Sequence, residues 1–118
     1  MNTQINTQTQ APNQTQTVFD LMKEWDQWLE SVRWVAKACG EKTGYFTTFG
    51  ALVDRVNVVS EWMHRHSWDS SFVDKILNLL NDIRDARKRF NCEFPAPPQS
   101  LIEFVKTQVK APLPLIDY

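Results

Sequence analysis

The feature that most constrains the fold is a long run of apolar side chains at helical spacing. Its members occupy positions 18, 21, 22, 25, 28, 29, 32, 35, 36 and 39. Apolar residues that recur every three or four positions line one face of an α-helix. Thr17 and Asp20 have the spacing of a capping box at its start, and Gly40 is predicted to end it. So wide an apolar stripe needs other elements that cover it.

Two more long helices are predicted to follow after short loops. The second extends from residue 47 or 48 to about 66, with Phe49, Leu52, Val53, Val56, Val59 and Met63 on one face. The third covers about 72–90 and carries an even broader apolar stripe. Ser71 and Asp74 have capping-box spacing before it.

The C-terminal part is punctuated by proline. Three prolines lie between residues 95 and 98, which favours a stiff extended connector. Ser100 and Glu103 then match the capping-box pattern before a shorter helix, predicted from residue 101 to about 110. The last eight residues, 111–118, form an apolar tail that contains two further prolines.

These patterns predict an all-α fold, an antiparallel bundle of three long helices plus a shorter C-terminal fourth helix. Residues 18–110 form the bundle domain. Residues 1–17 are rich in Asn, Thr and Gln and contain no charged side chain, so they are predicted to be a disordered tail. Strict apolar–polar alternation bounded by turns is not found, which argues against strands.

The bulk charge and the cysteines limit the functional classes. A formal net charge of -1 gives no chain-wide attraction to nucleic acid or to an anionic membrane. The N-terminus has no secretory pattern, and no run is apolar for the roughly 18 residues that span a bilayer, so a cytoplasmic location is predicted. Cys39 and Cys92 follow no CxxC spacing and are interpreted as two reduced, mostly buried thiols.

Three of the five tryptophans lie within the ten residues WDQWLESVRW, positions 25–34. On a helical wheel Trp25 and Trp28 belong to the apolar stripe and are predicted to be core. Trp34 falls about 180° from Trp25, among charged side chains. The second helix repeats this pattern, because Val58 and Trp62 lie about 180° and 220° from Phe49.

Two interpretations of Trp34, Val58 and Trp62 are open. The fourth helix or the C-terminal tail of the chain could cover them. Alternatively they form a surface that contacts another protein or another copy of this chain, because tryptophan is enriched at interface hot spots. The predicted contact surface comprises Trp34, Val58, Trp62, Leu113, Leu115, Ile116 and Tyr118.

A basic cluster, RDARKR, ends the third helix at residues 84–89. Cations at a helix C-terminus are favoured by the helix dipole, which is one interpretation. The other is contact with backbone phosphates through Arg84, Arg87, Lys88 and Arg89. In size and helical class the chain is similar to the small helical subunits of CRISPR effector complexes and to small helical assembly factors or inhibitors of phages, without a shared motif.

No motif for catalysis, cofactor binding or metal binding is present. His64 and His66 point about 200° apart on a helix, and with the two cysteines they match no zinc spacing. Only three glycines occur, and none belongs to a phosphate-binding motif. The sequence therefore predicts a non-enzymatic interaction or assembly subunit, without a cofactor or a small-molecule substrate. The alternative is a nucleic-acid-associated small helical subunit of a ribonucleoprotein effector.

Overall fold

A computed structural model describes residues 17–108 and contains four helices: α1 (Val18–Thr43), α2 (Phe46–Arg65), α3 (Ser70–Phe90) and α4 (Gln99–Gln108). The predicted all-α bundle of three long helices and a shorter fourth is confirmed. Except for Thr17, both predicted tails, 1–17 and 111–118, lie outside the described residues. Within residues 17–108 no helix combines the length and the apolar character needed to cross a bilayer.

Helix α1 begins where the sequence predicts but ends one turn later. Thr17 and Asp20 form the reciprocal capping box, in which the Thr17 hydroxyl accepts a hydrogen bond from the Asp20 amide at 3.1 Å. The prediction that Gly40 ends the helix is wrong. Gly44 ends it instead, with a φ of +81° in the left-handed region that glycine adopts without steric cost. Gly40 is buried, and a Cβ built there would lie 3.3 Å from the Phe49 Cβ, so its hydrogen lets α2 approach α1.

The first two helices pack antiparallel. Near the start of α1, the Asp26 carboxylate forms a hydrogen bond of 2.8 Å with the His64 imidazole near the end of α2. In the middle, the Arg33 guanidinium donates to the Asn57 side-chain oxygen at 2.9 Å. Gly40 and Phe49 meet near the other end. These three contacts fix the register of α1 against α2.

Helix α3 returns antiparallel along α2, where Asp82 pairs with Arg55 and the Phe90 ring lies 5.2 Å from that of Phe49. Its start differs from the prediction. The Asp69 carboxylate accepts from the Ser71 amide at 3.0 Å and from the Phe72 amide at 3.2 Å. Because Asp69 already satisfies these first free amides, the predicted capping box between Ser71 and Asp74 does not form.

The proline-rich connector runs back along α1 towards its start, and α4 packs against the first half of α1. The Trp28 indole N–H donates to the Pro95 carbonyl at 3.0 Å, and that of Trp25 donates to the Ser100 hydroxyl at 2.9 Å. Ser100 in turn donates to the Glu24 carboxylate at 2.5 Å. The predicted capping box at Ser100 is therefore wrong, because its hydroxyl serves the contact between helices instead of its own helix.

An aromatic cluster forms one end of the core. The Trp25 ring stacks on Trp68 with centroids 4.9 Å apart, and both contact Phe104. Trp25 is 1% exposed and Trp28 5%, so the prediction that these two tryptophans are core is confirmed. The rest of the core consists of the buried stripes of the four helices, with Val32, Val56, Phe72, Ile76, Leu79, Leu80, Ile83 and Val105 fully buried.

The two cysteines are joined, contrary to the interpretation of reduced thiols. Cys39 of α1 and Cys92 of the connector form a disulfide, with Cα atoms 6.5 Å apart. That distance lies within the range that a disulfide spans. Their 53-residue separation in sequence carries no sign of the pairing, which arises because the connector folds back along α1.

Candidate protein-contact site

Trp34 is the most exposed tryptophan of the described chain. Its side chain is 66% exposed, on the face of α1 opposite the buried Trp25. The Lys37 ammonium, one turn further along the same helix, lies 5.9 Å from the centre of its ring. Helix α4 packs on the other side of α1 and does not cover Trp34. The first interpretation, cover by the fourth helix, is therefore not met within the described residues.

A groove runs beside Trp34 between the outer sides of α1 and α2. Its volume is about 350 Å³. The floor is apolar, and charged side chains stand on both walls. The groove is lined by Ala36, Lys37, Gly40, Glu41, Phe46, Phe49, Gly50, Val53 and Asp54. We call this feature the α1–α2 groove.

Phe46 is the residue of this site that the sequence reasoning missed. It is 65% exposed and is the first residue of α2. The sequence prediction starts the helix one or two residues later and leaves Phe46 in the loop. Its spacing from Phe49, Gly50 and Val53 is three, four and seven residues, which places all four on one side of the helix. Extending the helix by one residue would have revealed it.

Val58 and Trp62 do not line this groove. Val58 is 39% exposed on the outer side of α2. Trp62 is half-buried, stacks on His66 with ring centres 4.2 Å apart, and lies 5.0 Å from the Lys75 ammonium of α3. Trp62 thus takes part in the contact between α2 and α3, on the other side of α2 from Trp34. Trp34 is linked to the groove through Lys37, which lines the groove and lies 5.9 Å from the centre of the Trp34 ring.

Four residues of the predicted contact surface belong to the C-terminal tail, outside the described residues. They are Leu113, Leu115, Ile116 and Tyr118. Their part in a contact surface stays a prediction.

The basic cluster at the end of α3 is interleaved with carboxylates. Arg84 lies 3.8 Å from Asp85, and Arg89 lies 5.0 Å from the Phe90 ring centre. Arg84 and Arg87 are half-buried, whereas Lys88 and Arg89 are exposed. Arg87, Lys88 and Arg89 occupy the last turn, where the helix dipole favours cations.

A second pocket, of about 260 Å³, lies between α2 and the C-terminal part of α3. Its walls carry Arg55 and Arg89 together with Asp82 and Asp85, so its charges balance. Burial raises the pKa of the Asp82 carboxyl above its ordinary value of 3.8, and the nearby Asp85 adds to this, while the paired Arg55 opposes it. A balanced pocket of this kind has no strong preference for an anion.

Within residues 17–108 no three or more His, Cys, Asp or Glu side chains converge as a metal site. His64 is engaged with Asp26, and Cys39 with Cys92.

Comparison of the chain with protein-family models, with curated proteins and with solved structures gave no match in any of the three.

Proposed function

We propose that this chain is a non-enzymatic helical subunit that associates with another protein or with its own copies through the outer face of α1 and α2. The observation that carries the proposal is the exposure of Trp34, at 66%, beside a groove whose far end carries Phe46 at 65%. Large apolar side chains gathered around a concave surface are typical of protein-binding sites.

The fold itself makes little use of these two side chains. The core is complete without Trp34, and the ring contact that it makes is with Lys37 of its own helix. Water in contact with an exposed indole and phenyl ring is unfavourable, so covering both rings would contribute to the free energy of association. The charged walls around the rings supply a polar rim.

Site-specific photo-crosslinking tests the proposal. A photoreactive amino acid is placed at position 34, and a matched control probe at Lys23, which is exposed on the same helix. We expect a discrete crosslinked protein product, in cell extract or with the purified chain, from position 34 and not from position 23. Equal products from both positions, or none from position 34, would contradict the proposal.

Nucleic-acid binding through the basic cluster is the second hypothesis. The observation in its favour is that Lys88 and Arg89 are exposed in the last turn of α3, where they can reach a phosphate. Binding of labelled single- and double-stranded oligonucleotides should then weaken steeply as salt rises. For Lys88→Glu the affinity should fall less steeply with salt. Affinity that is flat across salt, or absent at low salt, would eliminate this function.

The cytoplasmic location predicted from the sequence meets one contrary observation. Disulfides persist mainly in oxidising compartments, and Cys39 and Cys92 are paired. Trapping of free thiols in intact cells distinguishes the cases. Two free thiols per chain support a cytoplasmic location, whereas none supports an oxidising compartment.

A further inference from the structure

The connector between α3 and α4, residues 91–98, is tied to one side of α1 at two points. The Cys92 sulfur is bonded to the sulfur of Cys39 in the second half of α1. The Pro95 carbonyl accepts a hydrogen bond from the Trp28 indole N–H at 3.0 Å. Trp28 and Cys39 lie on the same side of α1, about three turns apart. The connector therefore runs along this side of the helix, and Trp28 beneath it is only 5% exposed.

Apart from the disulfide, the connector is weakly held. Within the described residues 17–108, no amide of residues 92–97 donates a hydrogen bond to a backbone carbonyl. Phe94 and Pro97 are buried, whereas Glu93 and Ala96 are exposed. Segments with no backbone hydrogen-bond network and few buried side chains are the ones that open locally in a folded protein. The Cys39–Cys92 bond is therefore the strongest restraint on the connector.

The helices on either side of the connector are held by contacts of their own. Asn91 ends α3 with a φ of +57°, and its amide donates to a carbonyl of the last turn at 3.1 Å. Helix α4 is anchored by the buried Leu101 and Val105 and by the hydrogen bonds of Ser100 to α1. The connector can thus leave α1 between two fixed ends while the four helices stay packed.

We propose that the Cys39–Cys92 disulfide is a redox latch. Its reduction by a low-molecular-weight thiol such as glutathione releases residues 92–98 from α1 and exposes the Trp28 indole, and reoxidation closes the connector again. The inference goes beyond the proposed function, because Trp28 and Trp34 lie about 120° apart around α1. The latch acts on a different side of the helix, so neither proposal depends on the other.

Reduction consumes two glutathione molecules. The thiolate of the first attacks the sulfur of Cys39, which is half-buried, whereas Cys92 is 7% exposed. The bond between the two cysteines breaks, and Cys92 leaves as a thiolate that takes up a proton. The second glutathione thiolate attacks the glutathione sulfur of the mixed disulfide and releases Cys39, which is also protonated, together with glutathione disulfide. Two electrons and two protons pass from the glutathione thiols to the two cysteines.

The indole N–H signals in proton–nitrogen correlation spectra of the labelled full chain test the opening. When dithiothreitol reduces the disulfide, the Trp28 indole loses its acceptor, so exchange of its proton with water should accelerate about 30-fold or more. The Trp25 and Trp68 indoles donate to acceptors outside the connector and are the internal controls. Their exchange should change by less than about threefold.

The double variant Cys39→Ser/Cys92→Ser separates the bond from the reductant. Its Trp28 indole should exchange rapidly with or without dithiothreitol. A Trp28 indole that reduction leaves unchanged in the wild type would overturn the latch, because the reduced connector then stays closed. Acceleration of Trp25 or Trp68 equal to that of Trp28 would also overturn it, because the disulfide then restrains more of the fold than the connector.

The redox equilibrium gives a second test, which a bond between two equally closed forms would fail. Phe94 is buried while the connector is closed, so Phe94→Ala destabilises the oxidised form and has little effect on an open reduced form. In glutathione buffers this variant should be reduced at least about tenfold more readily than the wild type. Ala96→Ser, exposed on the same connector, is the matched control and should shift the equilibrium constant by less than about twofold. An equilibrium constant that Phe94→Ala leaves unchanged would overturn the inference, because Phe94 is then packed alike in both forms.

Discussion

Among single residues, Gly44 and Gly50 differ in their backbone conformation. Gly44 has a φ of +81°, whereas Gly50 is helical with open space around it. Gly44→Ala should therefore lower the free energy of unfolding by about 1 kcal/mol. Gly50→Ala should raise it by about 0.5–1 kcal/mol, because alanine restricts the unfolded chain and favours the helix. Urea unfolding of both variants at low protein concentration measures this, and a loss at Gly50 would show a backbone constraint there.

Asp82 is expected to make the stability of the fold depend on pH. Burial raises its pKa above 3.8, so the folded chain holds this proton more tightly than the unfolded chain does. The resulting stability is present below the unfolded pKa and is lost as pH rises through the folded pKa. Asp82→Asn stays neutral, so relative to the wild type it should gain stability as pH rises from acidic to neutral. Paired urea unfolding across this interval measures the difference, and a relative loss would mean that the Arg55 ion pair dominates.

Between helices, the Ser100 hydroxyl links α4 to α1 by hydrogen bonds. Ser100 accepts from the Trp25 indole at 2.9 Å and donates to the Glu24 carboxylate at 2.5 Å. Ser100→Ala leaves the indole N–H without its partner and should lower the free energy of unfolding by about 1–3 kcal/mol. Ser31→Ala is the control, because the Ser31 hydroxyl bonds only within α1 on an exposed face and should change stability by at most about 0.5 kcal/mol. Equal effects of the two variants would contradict this role.

The elements were predictable because apolar spacing sets which segments become helices, and that pattern is local. Their ends were less so. The sequence predicted that Gly40 ends α1, but Gly40 lies inside the helix, packed against Phe49, and Gly44 ends it. Ser100 likewise matches a capping pattern, but its hydroxyl accepts a hydrogen bond from the Trp25 indole, which is distant in sequence. Contacts between distant residues override local signals at these positions.

For the molecule as a whole, the Cys39–Cys92 disulfide closes a long covalent loop. It joins residues 53 apart, so it restricts the unfolded chain strongly. The double variant Cys39→Ser/Cys92→Ser should lose about 2–4 kcal/mol of stability against the oxidised wild type. Reductant should lower the wild type to the level of the variant and leave the variant unchanged. Equal stability of variant and wild type under oxidising conditions would contradict this.

The candidate site was predictable only in part. The helical wheel identifies Trp34 as lying opposite the core, because this depends on one helix alone. The groove depends on two helices and on their register. The contacts of Arg33 and Gly40 with α2 set that register. Trp62 shows the converse, because its place on the wheel resembles that of Val58 and yet α3 half-covers it.

We propose that Trp34 serves contact with another molecule, and its exposure predicts that it contributes little to the stability of the fold. Urea unfolding of Trp34→Ala at low concentration, with Trp25→Ala as the buried reference, tests it most directly. We predict a change within about 0.5 kcal/mol for Trp34→Ala and a loss of about 3–5 kcal/mol for Trp25→Ala. A loss of several kcal/mol for Trp34→Ala would contradict a role in contact, because it would make Trp34 part of the core.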